Sequence, residues 1–408
     1  MTGTRTAEEL DAADALAEFR TRFVGHDDPG IPAYLDGNSL GRPTIAAGER
    51  WASFIDQQWG RRLIRGWDEG WFEAPLALGD RIGALTLGAA PGQTIVGDST
   101  TVSLYKVVRA ALGLRPGRDE IVVDRGNFPT DRYVAEGIAR ETGATLRWID
   151  VSLGAGVSVA DVEAAVGSRT AVVLLSHVAF RSGFVADIPE ITRVVHDAGG
   201  LVVWDLCHSV GVLPIELDEW GVDFASGCTY KYLNGGPGSP AFLYVAADHI
   251  ASAQQPIQGW MGVRDSFAMG REYEPAEGIR RFVSGTPPVS AMLGMETMLD
   301  LIESAGIEAI RAKSIALTEY AIALYDEHLA GFGVELSSPR DADVRGGHVT
   351  IDHPAFGELV GELWRDGVIP DFRPPSGIRL GLSPLSTSFA EVEIAIDRIA
   401  AGLRARLG

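Results

Sequence analysis

The sequence predicts an α/β protein in which helices cover a mostly parallel central sheet and a smaller α+β domain follows towards the C-terminus. Three observations carry this. Between residue 94 and about residue 245, short apolar runs alternate with helical patterns. The runs are nearly continuous in Val, Ile and Leu, as strands buried on both faces require. After about residue 290 the pattern changes to long helices with two strand-like runs, 333–338 and 346–353.

Taken in order, residues 7–24 have helical periodicity in an acidic amphipathic stretch. The segment IPAYLDGNSLGRP, 31–43, reads as a loop rich in hydrogen-bonding groups. Residues 44–70 are again helical, with many Trp and Arg. TIVGDS ends a strand, and the helix over 101–114 takes Asp98, Ser99 or Thr100 as its cap. A strand over 120–124 leads to a helix over 130–143 that Gly143 stops. Strand 145–151, helix 159–166 and strand 170–178 follow. Asp187 and Glu190 have capping-box spacing before a helix that ends at Gly199 and Gly200, and LVVWD, 201–205, is the next strand. The helix over 389–408 closes the chain.

A chain of 408 residues is too long for one ordinary domain, and 46 % hydrophobic residues suffice for a sizeable core. The net charge of −20 argues against a nucleic-acid partner or an anionic membrane surface. The first residues lack the apolar stretch of a signal peptide, and no window approaches a membrane span, so the protein is read as soluble. Two cysteines, Cys207 and Cys228, are too few for a disulfide framework or a zinc site and read as buried free thiols in a reducing cytoplasm. No metal site is expected.

Ligands of parallel sheets bind at the carboxyl ends of strands, where Asp98, Asp124, Ser176 and Asp205 lie. Lys231 is one of three lysines, with Lys106 and Lys313, and sits between Tyr230 and Tyr232 before a Gly-rich turn. A desolvated amine there has a lowered pKa and acts as a nucleophile; the other reading is a structural lysine paired with a local carboxylate. Asp205 ends an apolar strand and needs a partner if buried; it serves a ring nitrogen or caps the following segment. Together the two suit pyridoxal phosphate: the carboxylate keeps the pyridine nitrogen protonated and the amine forms the Schiff base. His208 contacts the cofactor, orients Asp205, or is structural. GDSTT, 97–101, offers helix N–H groups and hydroxyls to a phosphate, without a P-loop or GxGxxG fingerprint. In NFPTDRY, 127–133, Phe128 stacks on a ring or packs in the core, and Asp131 bonds the ligand or charges the first helical turn.

Several segments together carry a resemblance: YLDGNSLGRP, STTVSLYKV, NFPTDRY, VVWDLCHSVG, VDFASGCTYKYLNGGPGSPAFLYV, GWMG and REYEP…GIRRF…GTPP. In these the chain resembles the kynureninases of bacterial type, from about residue 31 to 290 and more weakly to the end. The resemblance implies PLP fold type I, like aspartate aminotransferase. It implies three parts: an N-terminal helix and active-site loop (1–45), a large PLP-binding domain (46–290) and a small α+β domain (291–408). It implies hydrolysis of L-kynurenine, and of its 3-hydroxy form, to anthranilate (3-hydroxyanthranilate) and L-alanine, in tryptophan catabolism and NAD biosynthesis. Lys231 would be the Schiff-base lysine and Asp205 the partner of the ring nitrogen. Thr100, Thr101 and Tyr230 would hold the phosphate. Phe128 would stack on the ring within the contact loop Phe128, Pro129, Thr130 and Asp131, and Ser176 and His208 would line the site. Trp260 and Thr286 would come from the second subunit of a cytoplasmic homodimer whose active site lies at the interface. Arg379 would bind the substrate carboxylate, with Asn38 and Ser39 near, and Trp67, Phe128 and Trp260 would suit an aryl ketone. The freed lysine would take the α-proton, and Tyr230 is the candidate acid for the β-carbon.

The chain departs from the resemblance at Cys207, where Ala is expected, and at Phe184, where members vary. The other readings are a class V aminotransferase, a cysteine desulfurase, or a PLP-binding protein without turnover. A desulfurase needs a mobile catalytic Cys, which the strand contexts of Cys207 and Cys228 argue against.

Overall fold

A computed structural model describes residues 5–407. Its larger sheet has seven strands, in spatial order Thr94–Val96, Phe242–Val245, Phe224–Gly227, Leu201–Asp205, Thr170–Ser176, Glu120–Asp124 and Thr145–Ile149. Four pairings are parallel, and Phe242–Val245 runs antiparallel to both its neighbours. Alternation within the apolar runs serves two layers. Val202 and Trp204 face helices Ile188–Asp197 and Val289–Ala305, while Leu201 and Val203 face Thr100–Gly113. Each such side chain withdrawn from water contributes about 1.5–3 kcal/mol.

The helical run 7–24 is broken into Ala7–Ala12 and a 3₁₀ segment, Ala17–Arg22. The Asp14 carboxylate accepts the Leu16 amide at 2.9 Å, a local bond that competes with the helix. Residues 44–70 form Ile45–Ser53, a widened turn Phe54–Trp59 and shorter turns, and Leu63 adopts a positive φ of 52°. Ser99 caps Thr100–Gly113. Asp187 accepts the Glu190 amide, but the Glu190 carboxylate turns to Arg193, so the capping box is half formed.

The second sheet has the order Ala33–Leu35, Val368–Arg373, Gly377–Gly381, His348–Asp352, Glu335–Leu336. Helices Ile307–His328, Phe356–Arg365 and Phe389–Leu407 pack on it, and Ala7, Ala33 and Leu35 join their core. Of the run 333–338 only the edge pair Glu335–Leu336 is a strand. Helix Val289–Ala305 packs through Met292, Met295 and Leu299 into the core of the seven-stranded sheet. Among the described residues no helix is long and apolar enough to cross a membrane.

His177 is buried edge-on to Trp204 and Trp220, at centroid distances of 6.5 and 6.4 Å. Burial, with the Arg311 charge second, pushes its pKa down to about 3. The neutral ring therefore contributes stability that is whole above its unfolded pKa of about 6.5 and is lost as pH falls towards about 3. His177→Gln is expected to flatten this acid limb. Between pH about 7 and about 4 the wild type should lose more Tm than the variant, and equal losses would remove His177 from the account.

Candidate active site

A cavity of about 520 Å³ opens at the carboxyl ends of the parallel strands, a size that suits a cofactor with its substrate. Of the residues expected at a site, Thr100, Thr101, Phe128, Thr130, Asp131, Ser176, Asp205, His208, Tyr230, Lys231 and Thr286 line it. Pro129 opens the helix Pro129–Thr142 between two of them.

Lys231 lies in the connection between the antiparallel strands Phe224–Gly227 and Phe242–Val245. That connection is closed by the Thr229 hydroxyl, which donates to the Pro240 carbonyl at 2.6 Å. The GNSLG loop docks on it: the Gly41 amide donates to the Tyr230 carbonyl at 2.9 Å. A Cβ at Gly41 would lie 2.4 Å from the Lys231 carbonyl oxygen, so only glycine permits the approach. The Lys231 amine is 2.9 Å from His208 Nε2 and 5.9 Å from the centre of the Phe128 ring. Burial and then the Lys231 charge push the His208 pKa well below its ordinary value, so the ring is neutral. The other two lysines have carboxylate partners, Lys106 with Asp98 and Lys313 with Asp14.

Asp205 accepts the Cys207 amide at 2.7 Å through Oδ1. Beside it stands Asp131, wholly buried, its pKa raised well above the usual range by burial and then by the Asp205 charge. A second carboxylate so near favours the neutral form of Asp131. The Ser176 hydroxyl donates to Asn127 Oδ1 at 2.7 Å and lies 3.4 Å from Asp131 Oδ2. Asp131 Oδ1 and His208 Nδ1 are buried without a partner. A protonated ring nitrogen would supply the positive charge that this carboxyl pair lacks.

The N-terminus of Thr100–Gly113 points its amides into the cavity, and the Thr101 and Thr130 hydroxyls are 3.3 Å apart there. Such an end binds a phosphate. The Tyr230 phenol is held protonated: burial, then the Cys228 and Cys207 thiols, push its pKa up. Cys207 and Cys228 are buried free thiols, and the Cys228 amide donates to Cys207 Sγ at 3.2 Å. An amine, a carboxyl pair and a helix terminus around one cavity fit pyridoxal phosphate.

Other residues stand further off. Arg379 is 1 % exposed and lies behind the wall: Nη1 donates to the Phe180 carbonyl at 2.6 Å, Nη2 to Ser39 Oγ at 2.7 Å. Burial pushes its pKa down to about 10, which leaves it charged at neutral pH. Asn38 is buried beside Gly381 with both side-chain polar atoms unpartnered. Trp67 meets Trp71 edge-on at 5.6 Å, and Trp260 is 43 % exposed near Phe267; neither borders the cavity. Thr286 borders the cavity of its own chain. Sequence reasoning missed Asn127, although it begins the NFPTDRY motif. It also missed Phe180, which packs edge-on to Phe128 at 5.4 Å and had no sequence signal.

The aminotransferase class-V profile matches residues 84–354, and the kynureninase C-terminal domain profile matches residues 310–399. A kynureninase of Pseudomonas fluorescens is 40 % identical over 404 residues, covering 97 % of this chain and 94 % of the relative. The chain belongs to the kynureninase family. A kynureninase of Burkholderia pseudomallei (strain 1106a) is 41 % identical over 408 residues, covering 97 % of this chain and 95 % of its own. Among solved structures, the apo cysteine desulfurase of Thermococcus onnurineus NA1 superposes with a TM-score of 0.80 at 18 % identity, covering 99 % of this chain and 100 % of the other. A cysteine desulfurase of Escherichia coli does so with a TM-score of 0.80 at 18 % identity, covering 96 % and 98 %. These likenesses show the fold, that of the class V aminotransferases within PLP fold type I. The cysteines here are buried at neighbouring strand ends, unlike the mobile thiol that desulfuration requires.

Proposed function

We propose that the chain hydrolyses L-kynurenine, and 3-hydroxykynurenine with it, to anthranilate (or 3-hydroxyanthranilate) and L-alanine by breaking the Cβ–Cγ bond. The observation that carries this reading is full-length kinship to kynureninases in a chain whose Lys231 amine and Asp205 carboxylate share one cavity. Pyridoxal phosphate is the cofactor; bound here, it supplies the electron sink for the pairs released at Cα and then at Cβ.

The chain's own residues do the rest. Thr100, Thr101 and Tyr230 bind the phosphate, and Asp205, backed by Asp131 and Ser176, keeps the ring nitrogen protonated. Phe128 stacks on the ring, in the loop with Pro129 and Thr130, and His208 orients Lys231. Lys231 carries the α-proton, and Tyr230, protonated in this setting, gives a proton to Cβ after water has added to the γ-carbonyl. Arg379 with Asn38 and Ser39 takes the α-carboxylate. The active protein is a cytoplasmic homodimer with the site at its interface, to which Trp260 contributes from the second subunit, while Thr286 acts in the cavity of its own chain. It serves tryptophan catabolism and NAD biosynthesis. Residues 1–45, 46–290 and 291–408 are its N-terminal, cofactor-binding and small domains.

Incubation of the PLP-loaded protein with kynurenine should release anthranilate, read by its fluorescence. A keto acid formed in place of anthranilate would make the protein an aminotransferase, and no product from protein with intact cofactor absorbance would leave only a binding protein. Tyr230→Phe should slow anthranilate release more than exchange of the substrate α-hydrogen with deuterated solvent, by about 10² or more. If the variant only binds PLP more weakly and both rates fall together, Tyr230 serves the phosphate and the acid lies elsewhere.

A further inference from the structure

The guanidinium of Arg379 is buried in the protein, and a buried charge requires a counter-charge. Asp371, its cross-strand partner in the antiparallel pair Val368–Arg373 and Gly377–Gly381, supplies one: Oδ2 is 2.7 Å from Nη2. The same Oδ2 accepts from Arg373 Nε at 2.6 Å, so Asp371 has a second cation within reach. Arg379 Nε has no partner despite its burial, and Asp371 uses one prong of a fork that binds carboxylates through two. Asp36 Oδ1 stands 3.9 Å from Nη2 as a second, looser counter-charge without a hydrogen bond of its own, and in the next turn of the loop, against Gly381, both polar atoms of the buried Asn38 amide lack hydrogen-bond partners. Buried polar atoms without partners are rare, and several around one guanidinium mark a place made for a polar ligand.

We propose that Asp371 occupies, in the substrate-free protein, the position on Arg379 that the substrate's α-carboxylate takes, and that Arg373 receives Asp371 when the two exchange. The proposal rests on the reading in which Arg379 binds that carboxylate. The incoming carboxylate makes two parallel bonds where Asp371 makes one, and Asp371 keeps a counter-charge on Arg373 throughout. Asp371 is thus a positioning residue. It keeps Arg379 charged and aimed while the site is empty, and ligands without a carboxylate do not displace it.

The holoenzyme of Asp371→Asn, with circular dichroism as wild type, tests this. Without the competing carboxylate, the KM for kynurenine should fall about tenfold, with a smaller change in kcat. Calorimetric affinity for L-alanine, which carries the same carboxylate, should tighten alike. Arg373→Gln should raise KM by a similar factor, and the effect should vanish when Asp371→Asn is also present. A raised or unchanged KM in Asp371→Asn overturns the exchange, as does an Arg373→Gln effect that persists without Asp371. Should Asp371→Asn fail to fold, an unchanged KM in Arg373→Gln alone overturns it. Failure of the wild type to release anthranilate would count against the proposed reaction. Weaker or unchanged L-alanine binding in Asp371→Asn would count against the exchange whatever the reaction.

Discussion

Lys231→Ala is expected to cut anthranilate release on the order of 10⁴-fold, since in the proposed reaction one side chain would both hold the cofactor covalently and carry the α-proton. The three lysines are set apart by their surroundings. Lys313 pairs with Asp14, remote from the cavity, at 2.6 Å. Lys106 borders the cavity but is anchored by the Asp98 carboxylate and the Phe282 carbonyl, which tie its amine down. Lys231 faces a neutral imidazole instead. The wild type should be yellow, and borohydride should fix the cofactor on a peptide that contains Lys231. Recovery of the label on Lys106 or Lys313 would end the assignment.

Asp205→Ala should keep cofactor bound through the phosphate-binding residues while turnover falls by about 10²–10³, or about 3–4 kcal/mol of transition-state stabilisation. The cost is large because Asp131 is no ready substitute: it is wholly buried, and burial, the first cause of its raised pKa, favours its neutral form even without Asp205. A folded variant with near-normal turnover would show that the ring nitrogen needs no anionic partner in this protein.

The part of the site that was legible in the sequence is the part made by local rules. Asp205 and Ser176 close apolar strands, Thr100 opens a helix after a Ser cap, and Lys231 sits in a Gly-rich connection between two strands. Each is a polar residue at a defined end of an apolar element, so its side chain falls at the strand termini. The reversed direction of Phe242–Val245 was not legible, because a strand buried on both faces has the same composition whichever way it runs. The bond from Arg379 to Ser39 joins positions 340 apart, and only the resemblance, not any local rule, placed the two near each other. Asp371 reads as an ordinary strand carboxylate until its cross-strand partner is known. Asp14 ended the first helix early through a side-chain bond that periodicity does not register. Helix Val289–Ala305 carries apolar residues that give no sign of which core receives them.

The strand Ala33–Leu35 is hydrogen-bonded to Val368–Arg373 alone within its sheet, and the GNSLG loop hangs directly from it. During synthesis this stretch precedes the seven-stranded sheet and waits for a partner made after that sheet. The seven-stranded sheet draws all its strands from residues 94–245 and can be complete long before. Assembly is therefore polarised. The sheet that carries Asp205 and Ser176 can form early through near neighbours in the chain, while the sheet that carries Arg379 closes only when Ala33–Leu35 meets Val368–Arg373, a long-range step of high entropic cost.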